Sequence, residues 1–141
     1  MTIRFSVTAR NAGLNASLDL MDAGAGSGTI KIYTGAQPAT ADTAPSGTLL
    51  ATFTCADPAF AAPVDGAKDL DADPDLTTTA VDTGTAGWAR CADSDGNPVM
   101  DGSVGTATGV PETEPDFIIN SAAITTGQTV NLLTGTVTDP A

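Results

Sequence analysis

From residue 29 to residue 138 apolar side chains return at alternate positions, and the stretches between these segments are filled with glycine, aspartate and threonine. A period of two is the period of an extended strand, because successive side chains of a pleated backbone point to opposite faces. Thr29-Ile-Lys-Ile-Tyr-Thr34 sets Ile30 and Ile32 against Lys31 and Tyr33. Thr48 to Cys55 places Leu49, Ala51, Phe53 and Cys55 on one face, with threonines mostly on the other. Gly87 to Ala92, the turn Asp93-Ser-Asp-Gly-Asn-Pro98 and Val99 to Asp101 read as a hairpin, since Asp, Gly and Asn tolerate the positive φ of a tight turn. Phe117 to Asn120 and Thr129 to Thr138 complete the set. The apolar phase slips between Leu132 and Leu133, which predicts a bulge or a strand with apolar neighbours on both faces.

Helical spacing occurs once, near the start. Ser6 is placed to cap a helix over about residues 6–23 whose apolar residues Val7, Leu14, Leu18 and Met21 fall near one stripe, with Gly24 or Gly26 as the stop. Arg10, Asn11, Asn15, Asp19 and Asp22 lie mostly off that stripe. Gly35 to Gly47 and Ala61 to Asp75 follow neither period and read as long loops, which in a compact domain mark functional segments. No internal repeat is visible. The expectation is a single domain over residues 1–141, β-rich over 29–138. Its class is all-β, an antiparallel β-sandwich or jelly roll with one N-terminal amphipathic α-helix; an open α+β sheet is the alternative.

The composition argues against chemistry. The chain has no histidine, which removes the commonest general base and every Ser-His, Cys-His and His-metal arrangement. Paired carboxylates could serve a glycosidase, and Glu112, Glu114 and Asp116 are the candidates, but they sit between Pro111 and Pro115 in a stretch that reads as a loop. Asp93, Asp95 and Asn97 occupy the first, third and fifth positions of a calcium loop. The sixth is Pro98 and the twelfth Val104, so a hairpin turn explains them better. Asp69, Asp71, Asp73 and Asp75 form an acidic array without a rigid Gly turn. Gly24-Ala-Gly26-Ser-Gly28 follows a helix and precedes a strand, the reverse of a dinucleotide fingerprint. Neither cofactor nor metal is expected, and Cys55 and Cys91 read as buried reduced thiols.

Seventeen acidic residues against five basic ones give a net charge of −12, with no Lys or Arg after Arg90. Such a field repels phosphate backbones and anionic lipid, so neither nucleic acid nor membrane is the expected partner. No run approaches the roughly 20 apolar residues of a membrane span. The opening Met1-Thr-Ile-Arg-Phe-Ser6 lacks the order of a secretion signal. A protein surface is the remaining partner class. Trp88, the only indole, suits either a core anchor or an interface hot spot.

Several phrases carry a resemblance. Ile3-Arg-Phe-Ser6, Ala9-Arg-Asn-Ala12, Leu18-Asp-Leu-Met-Asp-Ala-Gly24, Gly28-Thr-Ile-Lys-Ile-Tyr-Thr-Gly-Ala-Gln-Pro38, Leu49-Leu-Ala-Thr-Phe-Thr-Cys55, Asp57-Pro-Ala-Phe60 and Gly84-Thr-Ala-Gly-Trp88 resemble a family of small virion proteins of tailed bacteriophages, the capsid cementing or decoration proteins. The likeness is clearest in residues 3–60 and 84–102. It implies a jelly roll that sits on the capsid exterior as a homodimer at two-fold positions and bridges neighbouring major capsid protein subunits. On that reading the shell-facing residues are Gln37 and Pro38, the aspartates Asp69, Asp71, Asp73 and Asp75, the acids Glu112 and Glu114, and Trp88. A tail or fibre adaptor, or a calcium-dependent carbohydrate-binding module, are the competing expectations.

Overall fold

The computed structural model describes residues 2–72 and 75–139. It is mostly β, with one N-terminal helix and a curled, jelly-roll-like mixed sheet. Helix α1 spans Val7–Leu18, and Ser6 caps it by accepting the Ala9 N–H on its hydroxyl at 3.2 Å. A single 3-10 turn, Asp19–Asp22, tightens its end, and Gly24 then leaves the helical path at φ 93°. Leu14, Leu18 and Met21 are buried as the spacing predicts, while Val7 stays 41 % exposed.

Among the described residues nine strands follow: β1 (Thr29–Thr34), β2 (Leu49–Thr54), β3 (Ala67–Asp69), β4 (Leu76–Thr79), β5 (Gly84–Ala92), β6 (Pro98–Gly105), β7 (Phe117–Ile119), β8 (Ala123–Ile124) and β9 (Thr129–Thr138). They run in the order β2-β1-β5-β6-β7-β9-β3, with β4 also on β9 and β8 also on β5. All pairings are antiparallel except β6 with β7. The bulge falls where the sequence places it: Ile118 pairs with Thr134 and Ile119 with Leu132, so Leu133 is the extra residue.

One expectation needs correction. Residues 61–75 are not one long loop, because β3 lies within them and pairs with the end of β9, and Phe60 bridges Leu70. Three residues are too few to display a period, so the pairing comes from β9 and not from the local sequence. The short strands β4 and β8, of four and two residues, carry no period of their own either.

The core joins Ile30, Ile32, Leu50, Phe53, Cys91, Ile119, Val130 and Leu132 under α1. Phe117 sits between two glycines. A Cβ on Gly135 would meet its Cδ1 at 2.7 Å, and one on Gly102 would meet its Cε2 at 2.9 Å. The ring therefore fills the side-chain space that β6 and β9 leave open on either side of the three-residue β7. Among the described residues no helix is long and apolar enough to cross a membrane.

Candidate partner-binding surface

The surface charge is set by where the few cations go. Lys68 is 3 % exposed and gives its ammonium to Asp19 at 2.9 Å and to the Asn15 side-chain oxygen at 3.0 Å. Arg90 is 8 % exposed and forks onto Asp101, with Nε and Nη2 each 2.8 Å from a carboxylate oxygen. Arg10 reaches inward to the Asp139 carbonyl at 3.3 Å. Most of the positive charge is thus spent inside or against the protein's own backbone. Asp71, Asp75 and Glu112 face solvent, and the outer field is that of carboxylates.

The polar side of α1 is a docking edge. Asn11 accepts the Gly66 N–H at 2.9 Å and Asp22 the Ala59 N–H at 2.8 Å, so with the Lys68 contacts the helix clamps the segment leading through β3. The signal was present in the sequence as Asn11, Asn15 and Asp19 at four-residue spacing, a polar ladder on one helix face.

The loop of residues 35–47 is held down at its middle and its base. Arg90 Nη1 donates to the Thr43 carbonyl at 2.7 Å, and the Thr48 N–H donates to the Thr34 hydroxyl at 2.8 Å. This anchoring leaves Gln37 exposed and Pro38 half-buried. Trp88 lies on the opposite face of β5 from Cys91 and Ala89, stacked on Tyr33 with ring centroids 4.8 Å apart and Arg90 5.4 Å from its ring. At 0 % exposure it is an anchor within the protein and drops out of the partner-facing set.

The acidic candidates separate. Asp69 is exposed and accepts the Thr136 hydroxyl at 2.8 Å. With Asp71 it rims an open groove of about 420 Å³ floored by Leu70, Leu133 and Gly135. Asp75 is exposed but does not line this groove, and Asp73 falls outside the described residues. Glu114 is turned back into its own loop, accepting the Gly109 N–H at 2.7 Å and the Thr108 N–H at 3.1 Å. The Thr108 amide, ahead of the Gly109 amide and the Thr108 hydroxyl, holds its carboxyl below the usual range. Asp116 accepts both the amide and the hydroxyl of Ser103 at 2.9 Å. Glu114 and Asp116 are thus each engaged by a separate set of donors.

The Asp93 turn is likewise self-contained. One oxygen accepts the Asp95 and Asn97 N–H groups at 2.9 Å, and the other accepts the Asn97 side-chain amide at 2.9 Å. Asn97, through side chain first and backbone second, lowers the Asp93 carboxyl. No group of three or more potential metal ligands occurs among the described residues. Both cysteines are free and buried; burial, aided by Asp22, pushes the Cys55 thiol up to about 12, and burial, aided by Cys55 and Asp101, drives Cys91 well upward.

No protein-family model, no curated protein and no solved structure matches the chain. The geometry presents a β scaffold with an anchored loop at 35–47, an acid-rimmed groove beside β3 and an outer surface short of cations.

Proposed function

We propose that the protein is a structural virion component that binds the outside of a phage capsid and cements neighbouring major capsid protein subunits, working as a homodimer at two-fold positions. The observation that carries this reading is the burial of Lys68 and Arg90 in ion pairs, which leaves an acidic exterior complementary to basic groups on a partner. The resemblance of its sequence phrases to cementing proteins suggests the partner class. A cement needs no nucleophile and no cofactor. Binding the closed shell, and not its dissociated subunits, stabilises the shell by mass action. Many weak contacts on one lattice reinforce each other through effective concentration.

The acid-rimmed groove and the loop carrying Gln37 and Pro38 are the surfaces offered to the shell. Rim carboxylates of this kind tune association rate and salt dependence more than affinity. Replacing Asp69, Asp71, Asp73 and Asp75 together by Asn is expected to lower occupancy on purified capsids while the melting temperature stays within a few degrees, since Asp71 and Asp75 face solvent. Cryo-electron microscopy of the particle tests the whole reading. Density of this fold bridging capsid subunits supports it, whereas density on the tail, or a bare shell, refutes it.

A further inference from the structure

The sheet contains a lane that its own chain fills only in part. Strand β7 is three residues long, while its neighbours β6 and β9 have 8 and 10 residues. It pairs with β6 only at Val104 and Gly105, and Pro115, which has no N–H to donate, ends it. Upstream of that point residues 98–102 of β6 pair with β5 alone, and residues 136–138 of β9 have their strand partner, β3, on the other edge. The last ties across the lane are Ser103 to Asp116 and the Thr136 N–H to the Asp116 carbonyl at 3.2 Å.

Beyond Asp116 the lane stays open toward α1. Two hollows of about 400 and 150 Å³ share Met100, Val137 and Thr138. The larger is walled by Leu14, Leu18, Val99, Met100 and Val137, with Asp139 at its mouth. Because β7 holds β6 and β9 apart at two strand spacings, the open continuation starts one strand wide. An open lane with unpaired backbone edges and apolar walls is a site for strand addition.

The same chain carries a matching strand. Residues 2–6 precede α1 outside any helix or strand, and Ser6 is extended at φ −66° and ψ 161°. Ile3 and Phe5 are 83 and 63 % exposed, and alternate positions of an extended segment share one face. Arg4 is the one cation of this arm and complements Asp139 at the lane mouth. Five extended residues span about 17 Å, the length of the free β6 edge over the five residues 98–102.

We infer that residues 2–6 of one copy enter the lane between β6 and β9 of a second copy as an added strand, with Phe5 and Ile3 in the hollow beside Leu14, Val99 and Val137. Reciprocal exchange about a two-fold axis uses one arm and one lane of each copy and closes the assembly. The inference rests on the pairing of two copies proposed above, and not on attachment to a shell.

Paired cysteines test it on the full chain, where the native thiols are buried. The Phe5→Cys, Val137→Cys variant is expected to form a covalent dimer under mild oxidation, with neither single variant doing so. Ile3→Cys with Val99→Cys repeats the test on the β6 wall of the hollow, in case the half-buried Val137 disturbs folding. A disulfide within one chain would place the arm in its own lane and overturn the exchange, as would no cross-link in either pair. In sedimentation equilibrium Phe5→Ala is expected to raise the dimer dissociation constant by roughly 30-fold or more, the loss typical of a buried aromatic anchor. A dimer indifferent to Phe5→Ala leaves the pairing standing and sinks the arm exchange. A wild-type monomer at every concentration sinks both, while capsid occupancy, measured separately, still decides the shell reading.

Discussion

Replacing Arg90 by methionine removes three hydrogen bonds at once and leaves their acceptors in unequal positions. Asp101 keeps a side chain only 2 % exposed, so its carboxylate becomes a buried charge without a partner, a situation that costs about 3–5 kcal/mol. The Thr43 carbonyl belongs to an exposed residue, where water replaces the lost donor, and adds at most about 1 kcal/mol. The total is a large fraction of the roughly 5–15 kcal/mol that holds a domain folded and lowers the melting temperature by about 10 °C or more. Equilibrium denaturation followed by the fluorescence of Trp88, whose ring lies 5.4 Å from the Arg90 guanidinium, measures the loss. The double variant Arg90→Met, Asp101→Leu removes both charges and is expected to recover to within about 1 kcal/mol of the parent, since an apolar pair of similar volume often replaces a buried ion pair without loss. Hydrogen exchange in residues 35–47 should rise in both variants, because both lose the Thr43 anchor. A single variant within about 1 kcal/mol of the parent, or an unchanged loop in both, would refute the account of Arg90 as the tie between sheet and loop.

Phe117→Ala should cost about 3–5 kcal/mol, and Gly135→Ala should also destabilise, because the added methyl lies 2.7 Å from the Phe117 ring; denaturation midpoints check both. Asp93 and Glu114 have carboxyls lowered in the folded state. Their contribution is therefore fully present above the ordinary carboxylate range of about 3.9–4.3 and is lost as pH falls through the lower folded values. An Asp93→Ala, Glu114→Ala variant should show a flatter fall in melting temperature over that acid range than the parent. Cys55, pushed up to about 12, and the buried Cys91 should resist a thiol reagent at neutral pH in the folded protein and react at once in denaturant; fast labelling of the native state would contradict their burial.

Much of this fold is written in local pattern. The alternation through residues 29–34, 49–54 and 129–138 specifies strands because an extended backbone can bury only every second side chain, and β1, β2 and β9 appear there. Ser6 specifies the helix start because its hydroxyl alone can reach the free N–H of the first turn. The slip at Leu132 and Leu133 specifies a bulge, since two adjacent apolar residues cannot share a face of a regular strand. Other features exist only because distant segments meet. Strand β3 is three residues held by the end of β9. Lys68 and Arg90, ordinary surface residues by composition, are drawn inward because Asp19 and Asp101 arrive from other elements to neutralise them. Trp88 reads as either interface or core until Tyr33 and Arg90 close over it on the second face of β5. The open lane between β6 and β9 has no signature in any one segment: it is the difference in length between a short strand and its two longer neighbours, a quantity fixed by pairing across the sheet and by nothing in the chain nearby.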